Sequence, residues 1–136
     1  VSGFEIIEHT ADVGIRARGD SPEETLLQAT RGLADILGAW KPGAGTTHEI
    51  SVESRDIGAA LVDWLEEVLF LQDSRDAVLR AVDVSHVGEL GALGTVTLGP
   101  RGNEVLSGTA VKAITWHRLR FERDGDAWVA EVYVDV

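Results

Sequence analysis

The sequence contains no cysteine. Disulfides, thiolate zinc sites and thiol nucleophiles are thereby excluded. No apolar run reaches the roughly 18–20 residues of a membrane-spanning helix, and no basic segment leading into an apolar one opens the chain. A cytoplasmic location is the expectation, with Val1 a processed or trimmed end. Basic residues are scarce: 12 Lys and Arg stand against 23 Asp and Glu, a formal net charge of -11 over 136 residues. Rows of phosphates repel such a chain, which argues against direct nucleic-acid binding and against docking on an anionic membrane. A basic protein partner or a cation suits the surface better, although plain solubility is the simpler reading of the same charge. A nucleophile elbow, a phosphate loop and a paired-histidine motif are missing too.

What remains is an ordinary globular composition, 44% hydrophobic and 26% charged. The length suits one domain over residues 1–136, able to bury a core without covalent staples. Residues 4–8 and 13–18 alternate as strands. "SPEE" then starts a helix: Ser21 as N-cap, Pro22 at the first helical position, Glu24 closing a capping box. Leu26, Leu27, Thr30, Leu33, Ala34 and Leu37 form its apolar stripe, and Gly38 ends it. A loop at Lys41–Gly45 leads to a half-buried strand around Ile50 and Val52. Asp56 caps a second helix with a stripe of Ile57, Ala60, Leu61, Trp64, Leu65, Val68 and Leu69. Trp64 reads as packing, and Asp63, Glu66 and Glu67 as a solvated face. Beyond Gln72 the pattern turns to strands at 78–87 and 93–98, with "GELGALG" between them and a turn at "GPRGN". The expected fold is α+β, two amphipathic helices packed on largely antiparallel sheet.

The last stretch, "VKAITWHRLRFERDGDAWVAEVYVDV", carries Asp124-Gly125 between two alternating runs, a strong hairpin signal. A two-residue turn centred there predicts Phe121 opposite Trp128, Trp116 opposite Tyr133 and Ile114 opposite Asp135. It also sets His117 opposite Val132 on the apolar face, where a satisfied core histidine is the plain reading and a ligand the sharper one. Asp135 then lies on the outer face beside the carboxylate of Val136, and two such groups repel unless a cation joins them. Lys112, diagonally across on the same face, is one candidate and a bound hard cation the other. Oxygen donors without cysteine favour calcium or magnesium over zinc. At the other end, "EHTADVGIRARG" reads plainly as a turn before a strand, and more sharply as a placement of Asp12 at a strand entrance.

Together, "EHTADVGIRARG" at the front and "VKAITWHRL" with a terminal "VDV" at the back resemble the two signatures of the archease family. The capped "SPEETLLQATRGLADIL" and "LVDWLEEVLFL" helices fit between them, so the resemblance spans essentially the whole chain. It implies an accessory protein and not an enzyme. Archeases assist the RtcB-type RNA ligase of tRNA splicing and RNA repair, promoting guanylylation of its active-site histidine and repeated turnover. The resemblance further implies an acidic metal site with Asp12 and Asp135 as ligands and Val136 lending an oxygen. The cation would be calcium first, with magnesium or manganese as alternatives. Lys112 matches a lysine the family needs. Trp116 stands where many members have tyrosine, so the ring is kept and the hydroxyl is not. His9 either ligates or orients Asp12 from behind, and the second role suits a hard cation better.

Two other functions fit some of the same residues. A small metal-dependent phosphoester hydrolase would use His9, Asp12, Asp135 and His117. A plain interaction module would rely on the acidic helix face of Asp63, Glu66 and Glu67.

Overall fold

A computed structural model describes residues 2–8, 12–38, 40–101 and 108–136. In chain order the elements are β1 (Gly3–Glu8), β2 (Asp12–Gly19), α1 (Pro22–Leu37), β3 (Thr46–Glu53), α2 (Ile57–Arg75), β4 (Ala77–Gly88), β5 (Gly91–Pro100), β6 (Ala113–Ile114), β7 (Arg120–Asp124) and β8 (Ala127–Asp135). They build two antiparallel sheets. One has the order β1-β2-β8-β6, with β7 also paired to β8, and the other is β3-β5-β4. The fold is α+β, as the two helical stripes among many short strands lead one to expect.

The helix starts follow their capping residues. The Ser21 hydroxyl accepts the Glu24 N–H at 3.1 Å, and the Asp56 carboxylate accepts the Ala59 N–H at 2.7 Å. The box at α1 closes one residue early, since the Glu24 carboxylate accepts the N–H of Asp20 and not that of Ser21. α1 packs on β2 and β4 and so touches both sheets. α2 is buried more completely than its stripe predicts: Ala59, Val62 and Leu71 are covered as well as Ala60, Leu61, Trp64, Leu65, Val68 and Leu69. One hydrophobic cluster joins the two helices to both sheets. At its centre the fully buried Trp64 donates its indole N–H to the Thr30 hydroxyl at 3.0 Å, and that hydroxyl donates in turn to the Leu26 carbonyl at 2.7 Å. A buried indole N–H needs such a partner, and here it links α2 to α1.

Two strand boundaries run past expectation. The β4–β5 hairpin closes on Gly88 opposite Gly91, with Glu89 and Leu90 as its turn, so most of "GELGALG" lies at the turn or inside β5. β5 continues to Pro100, and the rest of the "GPRGN" turn, Gly102 and Asn103, falls outside the described residues. Among the described residues no helix is long and apolar enough to cross a membrane.

Candidate functional site

β2 and β8 form the centre of the first sheet, and their alternation sets its two faces. Val13, Ile15 and Ala17 pair with Val134, Val132 and Ala130, and these apolar pairs look into the core. The residues between them look outward: Asp12 opposite Asp135, Gly14 opposite Tyr133, Arg16 opposite Glu131. A slip of one position would turn the apolar pairs to solvent, so burial fixes the register. The outward Arg16 adds to it. Its Nε donates to Glu131 at 2.8 Å and its Nη1 to Glu5 at 3.0 Å. Bonding first to Glu131 and then to Glu5 holds the guanidinium pKa above its ordinary value.

This register sets the two carboxylates of Asp12 and Asp135 side by side at one end of the sheet. Directly opposed residues have Cβ atoms about 4.5–5.5 Å apart, within reach of one shared ion. Among the described residues no cation forms an ion pair with either. Val136, the next residue, packs its side chain against the core and so anchors the strand end. The donors are carboxylate and main-chain oxygens, which fits a hard divalent cation. No third His, Asp or Glu joins the pair among the described residues. Calcium takes about 6–8 oxygens and magnesium keeps several waters, so a site of this composition leaves positions for water or phosphate oxygens. His9 lies outside the described residues.

The C-terminal hairpin differs from its expected register, and the site changes with it. Asp124 pairs with Ala127 and Phe121 with Ala130, so the turn residues are Gly125 and Asp126. Gly125 takes φ 63 at the first central position, as a type II′ turn requires. The slip of two positions keeps each residue of β7 on its expected face. Beyond Arg120, however, the strand breaks. β6 pairs Ala113 with Asp135 and Ile114 with Val134, the Thr115 N–H still donates to the Tyr133 carbonyl at 2.9 Å, and the chain then bulges out before Arg120, with Arg118 at φ 51. Three expectations are therefore corrected. His117 does not face the core opposite Val132; it is exposed, with its ring edge-on to Tyr133 at 5.8 Å. Trp116 does not pair with Tyr133; it is 49% exposed and stacks on the Arg55 guanidinium at 5.7 Å. Lys112 does not share the outer face with Asp135. Its N–H donates to the Asp135 carbonyl at 2.8 Å, while the residue lines a groove with Glu66, Phe70 and Asp73 of α2.

Comparison with known proteins settles the family. The Archease protein family (MTH1598/TM1083) matches residues 4–136. The chain belongs to the archease family. It is 34% identical to the protein archease of Pyrococcus abyssi and 33% identical to that of Methanopyrus kandleri, covering 98% of this chain in both and 98% and 99% of the relatives. The protein archease of Methanosarcina barkeri is 30% identical over 98% of this chain and 95% of its own. Among solved structures, Methanobacterium thermoautotrophicum protein 1598 superposes with a TM-score of 0.82 at 25% identity, covering 98% of this chain and 99% of that one. A Thermotoga maritima protein, described as "an archease, possible chaperone", superposes at 0.67 with 27% identity, over 97% and 96% of the two chains.

Within this archease, Asp12 and Asp135 were named through the resemblance of the two end motifs, and the structure sets them opposite each other. Two neighbouring contacts were not foreseen. Tyr133 packs its ring on Gly14, where a Cβ would stand 2.8 Å from the ring. The signal was present, since a glycine inside an alternating strand marks a close approach. The α2 surroundings of Lys112 carried no such signal, because they depend on the break before Arg120.

Proposed function

We propose that this protein is an accessory factor of an RtcB-type RNA ligase, promoting guanylylation of the ligase's active-site histidine and repeated turnover in tRNA splicing or RNA repair. The observation that carries this reading is the direct opposition of Asp12 and Asp135 at one end of the sheet, inside a fold of the archease family. Asp12, Asp135 and an oxygen of Val136 hold a divalent cation, with calcium the first choice. Such a cation neutralises charge on phosphate oxygens, and phosphoryl transfer is governed largely by positioning and charge neutralisation.

The chain's own residues define what the site can do. β2 and β8 present the carboxylates on a rigid sheet and not on a loop. Arg16, held between Glu131 and Glu5, keeps the strands in register four positions away. His117 stands against Tyr133, and Tyr133 is two positions along β8 from Asp135. Net charge -11 suits docking on a basic enzyme and not on RNA itself.

Multiple-turnover ligation by a purified RtcB-type ligase, with and without this protein, tests the reading. Ligation is expected to continue past one turnover only when the protein is present, and Asp12→Ala or Asp135→Ala is expected to remove that gain. Unchanged turnover with both variants would refute the role of the acidic pair.

A further inference from the structure

The groove between α2 and β6 has no part in the acidic pair, yet two of its features call for an occupant. α2 covers almost all of its apolar side chains, but Phe70 is 62% exposed at the groove's lip, above Leu69 and Ile114. A phenylalanine gains about 1.5–3 kcal/mol on full burial, and here that gain is left unused. The charges are also unbalanced. Glu66, Glu67 and Asp73 are exposed along the same side of α2, and none is in an ion pair among the described residues. Glu66 is the least comfortable of them. Desolvation by the helix, and then repulsion from Asp63, raise its carboxyl pKa above the ordinary value.

The cavity measures about 220 Å³, smaller than the roughly 300–1,000 Å³ of a small-molecule pocket. That size suits an anchoring side chain. Two lining carboxylates, Glu66 and Asp73, against one lysine, Lys112, leave the rim net negative, which disfavours phosphate and so RNA. We infer that this groove is the docking surface for the protein partner, and that its occupant is a segment of the ligase bearing an apolar side chain flanked by lysine or arginine. The inference rests on the activator reading above. Phe70 and Leu69 supply the apolar contact, and Glu66, Glu67 and Asp73 the complementary charge. Lys112 links the two regions. It lines the groove, and its N–H holds the Asp135 carbonyl at 2.8 Å. A partner seated here lies next to the Asp12–Asp135 end.

Affinity for the purified full-length ligase, measured by fluorescence titration, tests the assignment. Phe70→Ser and the double reversal Glu66→Lys/Asp73→Lys should each weaken binding by about tenfold or more, the size of a hot-spot loss. All three residues are exposed, so neither variant should lower the thermal midpoint appreciably. Reversals on the second sheet, Glu49→Lys and Asp83→Lys, should leave affinity within about twofold. Raising the concentration of the groove variants should restore full ligase turnover, whereas Asp12→Ala should bind normally and stay inactive at any concentration. Undiminished affinity in the groove variants, beside a wild type that binds and activates, overturns the groove and leaves the activator reading standing. An equal loss in the second-sheet reversals overturns it too, since net charge alone then governs binding. A wild type that neither binds nor activates the ligase refutes the activator reading, and this assignment falls with it.

Discussion

The ring of Tyr133 packs on Gly14 so closely that a Cβ there would stand 2.8 Å from Cε2 and 3.0 Å from Cζ. The edge of His117 covers the same ring. This stack lies two cross-strand pairs inward from Asp12 and Asp135, next to them on the outer face. Gly14→Ala must displace the ring, and should destabilise the protein by about 1–3 kcal/mol, as overpacking does. Chemical denaturation measures the loss. Replacing Tyr133 by leucine in the same chain should cancel part of it, because neighbours in contact are not additive.

Like charges directly opposite each other across a sheet are destabilising, and nothing described neutralises Asp12 and Asp135. In chelator, Asp135→Asn should therefore raise stability by about 0.2–1 kcal/mol. With calcium added the order should reverse: the wild type gains thermal stability by linkage and the variant gains little. A wild-type midpoint unmoved by millimolar calcium, magnesium and manganese would count against the metal site.

Thr30→Val leaves the indole N–H of Trp64 without a partner in the core. The cost should be about 1–3 kcal/mol, the penalty for a buried unsatisfied donor. Thr30→Ser keeps the hydroxyl and should cost less, mainly the lost methyl contact. Urea unfolding followed by tryptophan fluorescence reads both.

Two glutamates should respond to pH in opposite senses. Bonds from the Ser2 hydroxyl and then from the Asp20 N–H lower the pKa of Glu24. Its stabilising contribution is present above the ordinary carboxylate range and is lost as pH falls through the lowered value. Glu66 has a raised pKa, so its ionised form opposes folding at neutral pH and the opposition fades as pH falls through the raised value. Glu24→Gln should lower the thermal midpoint at neutral pH and Glu66→Gln should raise it. Both differences should shrink in acid. A gain in stability from Glu66→Gln together with weaker ligase binding is the trade-off expected of a docking residue.

The helices were legible because their signals are local. Ser21, Pro22 and Glu24 mark one start, Asp56 marks another, and 3-4 spacing names the buried stripes. The acidic pair came from the resemblance of the two end motifs to the archease signatures, since the local pattern alone left Asp12 in a turn before a strand. The hairpin was legible in its faces but not in its register. Asp124-Gly125 announces a two-residue turn, yet glycine can occupy either central position, and here it takes the first. The break before β7 was hidden. From Ala113 to Arg120 the chain takes seven steps while its partner takes four from Asp135 to Glu131, so three residues must bulge. A left-handed arginine at 118 has no sequence mark. His117, Trp116 and Lys112 were all misplaced for that one reason.

The two sheets differ in how far apart along the chain their strands lie. β3, α2, β4 and β5 follow one another, so the second sheet can form from near neighbours. The first sheet has β8 at its centre, and the Arg16–Glu131 bond across it joins positions 115 residues apart. Closing so large a loop is slow, because its entropy is lost before the contacts form. The pairing that sets Asp12 beside Asp135 is therefore expected to form late in folding. A half-folded chain can carry both helices and the second sheet while its two carboxylates remain strangers.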